Sequence, residues 1–282
     1  MRTWLPVPTS NSYQQVTPLP YRLPAEASCH TEPKYDNRIL YLETIVPDSG
    51  ELSLDVPYRV ERREVLALKL DDHDVDHREL PNRQRELFLQ ANARVPIDGK
   101  PLDLLNGLEM SDDACELANQ LYELVDQHLT YNKFGTGWGN GDVLWVCDSR
   151  YGNCTDFHSL FISLARSQGV PSRFEIGFPI PNDAEQGAVG GYHCWAFFFT
   201  PKRGWVPVDI SEADKHPSMK VYYFGSLPPD RVTFSVGRDI ELLPKSENGP
   251  LNYFIYPHIE VDGTPLPRQQ IALKFSYANL RE

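Results

Sequence analysis

Apolar and polar positions alternate over the first part of the chain, as in Arg38-Ile39-Leu40-Tyr41-Leu42-Glu43 and Leu52-Ser53-Leu54-Asp55-Val56. A period of two, with proline and glycine between the runs, marks half-buried antiparallel strands, so residues 1–80 read as a β-rich domain. Thr3 to Pro6 share that pattern and read as a strand interior with no lead-in. The period then lengthens. A short helix is expected near Gln84 to Ala91, and a longer one over Asp112 to Leu129, where Leu117, Leu121, Leu124 and Val125 share a face and Ser111 stands as cap. Cys154 to Gln168 has Phe157, Leu160, Phe161 and Leu164 at helical spacing, and Gly169 and Pro171 supply the stop.

Tyr192 to Phe199 and Gly204 to Ile210 read as two strands joined by a turn at Thr200 to Arg203. If the turn centres on Pro201, His193 stands opposite Asp209; a shift by one pair makes them diagonal neighbours, still on one face. Lys220 to Phe224, Arg231 to Val236 and Asn252 to Tyr256 are expected as further strands. The elements together read as a β-rich domain over 1–80 and a mixed helix-and-strand domain over 81–282 with C-terminal strands at 220–282.

Composition narrows the functions open to such a chain. A hydrophobic fraction of 41% in 282 residues suits globular domains with a full core. The net charge of -12 repels a phosphate backbone, which argues against nucleic-acid partners. No apolar run is long enough to span a bilayer. No signal peptide is visible from Met1 to Gln15, which places the chain in the cytoplasm as it begins here; a start inside a domain would leave the periplasm or the exterior as its compartment. Five cysteines, an odd number without paired short spacings, leave at least one thiol free.

One of those thiols stands where chemistry is favoured. Cys154 opens its helix just after Gly152 and Asn153, and the unpaired amides and positive dipole of a helix start stabilise a thiolate. The ordinary fate of a lone cysteine is a small buried hydrophobe, so its partners decide the matter. His193, held near Asp209 across two strands, supplies a base and a group to orient it. Metal binding competes for these side chains, since Cys147, Cys154, His158 and His193 are zinc-ligand types, but their spacing matches no zinc knuckle, and alternation turns Cys194 away from His193. The acidic run Asp71 to His77 reads as a solvated connector, with weak calcium binding at most, and activity is expected to survive chelators. Gly135 to Gly141 lacks a following Lys-Ser/Thr and reads as a tight loop, not a phosphate cradle.

Gly152-Asn153-Cys154-Thr155-Asp156, Tyr192-His193-Cys194-Trp195 and Trp205-Val206-Pro207-Val208-Asp209, with Leu164 to Arg173 between them, resemble the transglutaminase-like superfamily as its bacterial members display it. The resemblance spans roughly residues 111–214. It implies a papain-like α+β core with an antiparallel sheet, a helix bearing the nucleophile, and a Cys154-His193-Asp209 triad. It implies no obligatory organic cofactor, and it marks the β domain over 1–80 as accessory to the core at 111–214; animal-type members use calcium, but no such loop is placed here residue by residue, and the weak ligand clusters lead to the expectation of no metal. The substrate class it implies is a protein or peptide with a side-chain or backbone amide, attacked through a Cys154 thioester that an amine or water then captures. Members of the superfamily divide between glutamine-to-amine transfer, peptidase or amidase hydrolysis, and binding scaffolds with a vestigial triad. Trp145 and Asn153 are candidates for oxyanion support, and Trp138 and Trp195 for the substrate cleft.

Overall fold

In the computed structural model, which describes residues 1–23, 26–46, 48–68 and 79–280, the chain divides into two compact units. One comprises Met1–Arg63, Ile176–Tyr192 and Pro229–Glu282, the other Glu64–Glu175 and His193–Pro228. The strands begin with β1 (Arg2–Val7), β2 (Gln14–Pro18), β3 (Ala27–Thr31), β4 (Arg38–Glu43), β5 (Tyr58–Arg62), β6 (Val65–Leu66), β7 (Thr130–Tyr131) and β8 (Tyr151–Gly152). They continue with β9 (Ser172–Pro179), β10 (Gln186–Ala188), β11 (His193–Thr200), β12 (Gly204–Val208), β13 (Ser226–Leu227), β14 (Arg231–Val236), β15 (His258–Val261), β16 (Thr264–Pro265) and β17 (Ser276–Ala278). The helices are α1 (Asn82–Leu89), α2 (Ala114–His128), α3 (Val143–Ser149), α4 (Cys154–Ser167), α5 (Ile210–Lys215) and α6 (Lys220–Tyr223).

The first unit is built on an antiparallel sheet in the order β16-β15-β1-β4-β3, with Trp4 opposite Tyr41 and His258. Trp4, Ile39, Tyr41, Ile240, Leu242 and Phe254 form its core, and the Trp4 indole N–H is donated to the Pro244 carbonyl at 2.9 Å. The alternating segment Arg38 to Glu43 thus becomes β4, but Ile39, Leu40, Tyr41 and Leu42 are all buried, so both faces of that strand are covered. The sheet's membership differs from the sequence expectation. β15 and β16 come from the C-terminal segment assigned to the second domain, yet they pair on β1 and on each other. Long-range pairing of this kind leaves no local trace in the chain.

In the second unit α4 packs on β11, with α2, α3 and α5 around it. Every residue from Cys154 to Arg166 is buried, so α4 is a central helix and not the one-sided amphipathic helix its apolar spacing predicts. Its polar residues are answered from within. Ser159 donates to the Thr155 carbonyl, and Arg166 donates to Ser172 O, Gln90 O and Asn92 Oδ1. α2 begins under an Asp113 cap that accepts from Cys115 and Glu116 amides; Ser111, expected as cap, instead accepts the Asp113 amide and donates to Glu116.

Three expected strands are not formed. Lys220 to Tyr223 is one helical turn, held by Lys220 Nζ at 2.6 Å from both Glu123 and Asp126, so tertiary pairing overrides its strand-like composition. Leu52–Val56 and Asn252–Tyr256 are irregular. The acidic run at Asp71 to His77 lies outside the described residues.

Gly177 in β9 permits a close backbone approach, because a Cβ there would stand 1.8 Å from the Val232 carbonyl oxygen of β14. A backbone atom cannot swing away as a side-chain end can. Gly177→Ala is therefore expected to lower stability by about 2 kcal/mol in urea unfolding, the usual scale of overpacking; an unchanged midpoint would contradict this close contact.

Candidate active site

The site is built from the start of α4, the start of β11 and the junction of β12 with α5. Asn153 caps α4, its side chain accepting the Thr155 amide at 2.9 Å, while its own N–H is donated to Asp156 Oδ2 at 2.9 Å. This reciprocal box fixes the turn that carries Cys154. The other Asp156 bonds run to the glycine-rich loop, with Gly139 N–H donated at 2.6 Å and Gly141 N–H at 2.9 Å. Burial pushes the Asp156 carboxyl up against these amide bonds, which pull it down. Gly152 has to be glycine, since a Cβ there would lie 2.5 Å from the Asp156 side chain.

His193 is the first residue of β11, and its Nε2–H is donated to Asp209 Oδ2 at 2.7 Å. The Cys154 thiol is within hydrogen-bonding reach of the His193 ring. With Nε2 committed to Asp209, Nδ1 is the ring nitrogen left for sulfur. Asp209 is fully buried, and its other oxygen accepts the Ser211 hydroxyl and the Glu212 amide, each at 3.2 Å. Glu212 adds a second carboxylate 3.9 Å from His193 Nε2.

The register that brings these residues together is the shifted one. Ala196 pairs with Val208 and Thr200 with Gly204, so the turn centres on Lys202, and the strand ends before Asp209, which caps α5. Gly204, at φ +70°, closes this three-residue turn.

Charge follows from geometry. Burial opposes a charged imidazole at His193, but the Asp209 charge and hydrogen bond prevail and raise it to about 9. Burial likewise works against a Cys154 thiolate. Hydrogen bonds with Cys194 and His193, and the positive His193 ring, outweigh it and hold the thiol well below its ordinary value. Burial raises Cys194, whose proton stays in place. The resting arrangement these shifts describe is a thiolate–imidazolium pair of the kind an acyl-transfer nucleophile uses.

The supporting residues fall out differently. Asn153 spends its side chain on the cap, and the Thr155 amide is bonded to it, so that amide is not available for an oxyanion. Trp145 packs edge-on to Tyr151 at 5.3 Å, and among the described residues no hydrogen bond joins it to Cys154. Trp138 folds back to donate to Gly135 O. Trp195 is fully buried, so it lines no open cleft; its indole N–H is donated to Glu175 at 3.2 Å and its ring centroid lies 6.0 Å from that of His193. Alternation alone had hidden Cys194, whose sulfur sits 3.7 Å from Thr155 Oγ1 and against the same helix turn as Cys154. Of the four zinc-type residues, Cys154, His158 and His193 gather here. Among the described residues no group of three or more His, Cys, Asp and Glu is arranged to hold a metal ion. No described helix is long and apolar enough to cross a membrane.

An α+β fold with a cysteine at a helix start, a histidine on the adjoining strand and an aspartate after the next defines the papain-like class to which transglutaminase-like domains belong. Residues 104–210 match the model of the transglutaminase-like superfamily. A solved structure of a candidate cysteine protease from Cytophaga hutchinsonii shares the fold with a TM-score of 0.52 at 13% identity, covering 99% of this chain and 92% of that one. An uncharacterized protein of Haemophilus influenzae is 26% identical over 300 residues, which span 93% of this chain and 81% of that protein. The periplasmic domain of TgpA from Pseudomonas aeruginosa aligns with a TM-score of 0.37 and 16% identity over 73% of this chain and 89% of that one.

Removing the Asp156 carboxylate would strand the buried amides of Gly139, Gly141 and Asn153. At about 1 kcal/mol or more for each unsatisfied group, Asp156→Ala is expected to lose about 3 kcal/mol. Denaturant unfolding measures this, and a loss below about 1 kcal/mol would mean the loop is held by other contacts.

Proposed function

We propose that the protein is a cysteine-dependent acyl-transfer enzyme acting on side-chain or backbone amides of proteins or peptides. The observation that carries the reading is the Cys154 thiol in reach of His193, whose far nitrogen is 2.7 Å from a buried Asp209. The Cys154 thiolate attacks the amide carbonyl carbon and forms a tetrahedral oxyanion. His193 gives its proton to the departing nitrogen, the carbon–nitrogen bond breaks, and a thioester remains on Cys154. An incoming amine or water then gives its proton to His193 and attacks the thioester, which releases the product and restores the pair. Asp209 keeps the ring oriented and steadies its charge throughout.

Glutamine-to-amine transfer is the leading form of this reading, with peptidase or amidase hydrolysis as the outcome when water captures the same thioester; the superfamily match is common to both. The test is to incubate the protein with a glutamine-containing peptide, with and without a primary amine, and follow peptide mass. An amine adduct with loss of ammonia identifies transfer, and a deamidated or cleaved peptide identifies hydrolysis. Cys154→Ala is expected to abolish either product by at least about 10³-fold, with His193→Ala nearly as damaging and Asp209→Asn leaving a remnant. Turnover that persists in Cys154→Ala would refute the assignment, and an unaltered peptide with the native protein over a panel of glutamine peptides and amines would favour a binding scaffold.

A further inference from the structure

His158 stands one helical turn after Cys154, fully buried, and both of its ring nitrogens are used. Nδ1 lies 2.7 Å from the Cys154 carbonyl oxygen, which can only accept, so Nδ1 carries a hydrogen. Nε2 accepts the Ile210 N–H at 3.1 Å, so Nε2 carries none. The ring is thereby fixed in one neutral tautomer. Ile210 directly follows Asp209, so the imidazole spans from the backbone of Cys154 to the backbone of the acid that orients His193.

This placement also settles a competition. Asp209 faces two imidazoles, with His158 Nε2 3.7 Å from Oδ1 and His193 Nε2 2.7 Å from Oδ2. A proton on His158 Nε2 would break the bond from Ile210 and draw the carboxylate charge away from His193. Burial lowers His158, against the pull of Asp209 and Cys154 and together with the repulsion of His193. The remaining titratable neighbour is Cys194, with its sulfur 3.8 Å from Nδ1.

We propose that His158 is a positioning residue, an uncharged strut that sets Cys154 against Asp209 and reserves the carboxylate for His193. The inference rests on the reading of Cys154 as nucleophile. Its substitutions separate the two bonds: His158→Asn can keep a donor toward the Cys154 carbonyl, His158→Gln can keep an acceptor for Ile210, and His158→Leu keeps neither.

Two measurements on the full chain test it. In ring nitrogen NMR of the ¹⁵N-labelled protein, with His158 assigned by the spectrum of His158→Gln, the ring is expected to hold the Nδ1–H tautomer without titrating between about pH 5 and 8. In the pH dependence of Cys154 alkylation by iodoacetamide, His158→Leu is expected to shift the low-pH fall upward by about one unit, a roughly tenfold slower reaction on that limb, with Asn and Gln falling between. A titrating His158 or an Nε2–H tautomer would overturn the proposal, whether or not the variants fold. So would folded variants with the native alkylation profile. Preferred alkylation of another cysteine in the unsubstituted protein would instead remove the nucleophile assignment itself, which distinguishes the two failures.

Discussion

The buried carboxylate of Asp209 sets the constraint from which the rest of the site follows. An ionised carboxylate without solvent is tolerable only when its lone pairs are answered, and breaking such an arrangement costs about 3–5 kcal/mol. Here one oxygen takes the His193 N–H, while the other takes the Ser211 hydroxyl and Glu212 amide at the start of α5. The helix cap and the bond that orients His193 are therefore one object. The sheet brings β11 to it, α5 supplies the donors, and the charge so fixed lifts His193 to about 9.

A second buried carboxylate performs the matching task for the nucleophile. Asp156 closes the cap of α4 and ties down the glycine-rich loop through two backbone amides. The amides, hydroxyl and imidazole that answer the two carboxylates all belong to the second unit. The consequence is a site whose thiol sits on a helix turn capped by Asn153 and Asp156 and whose imidazole is held by the buried Asp209 side chain. Such preorganisation lets fixed dipoles meet charge as it develops.

Much of this was legible in the chain. α4 could be read because its apolar spacing and the Gly169 stop agree, and Asp209 could be placed near His193 because their even separation keeps them on one face in either register. The register itself was not legible from Pro201; Gly204 at positive φ closes a three-residue turn, and the pairing lies one pair from the Pro201-centred one. Asp209-Ile210-Ser211-Glu212 carries the signature of a helix start, an acid followed three residues on by glutamate, which the strand pattern ahead of it masked. Trp195 reads equally as cleft or core in one dimension, and its full burial together with its bond to Glu175 places it in the core. The pairing of the C-terminal strands with β1 depends on contacts between residues such as Arg2 and Glu260, which no local pattern encodes.

The central claim is that Cys154 rests as a thiolate paired with protonated His193. The sign of both shifts fixes the window: the thiolate should persist from well below the ordinary thiol value, and the imidazolium proton should be lost only as pH rises through about 9. The most direct measurement is the ultraviolet thiolate absorbance of the native protein minus that of Cys154→Ala, followed across pH. The account predicts a full difference band already present at neutral pH, falling away only in acid. A difference band that first appears in the ordinary thiol range, about pH 8.5, would contradict it.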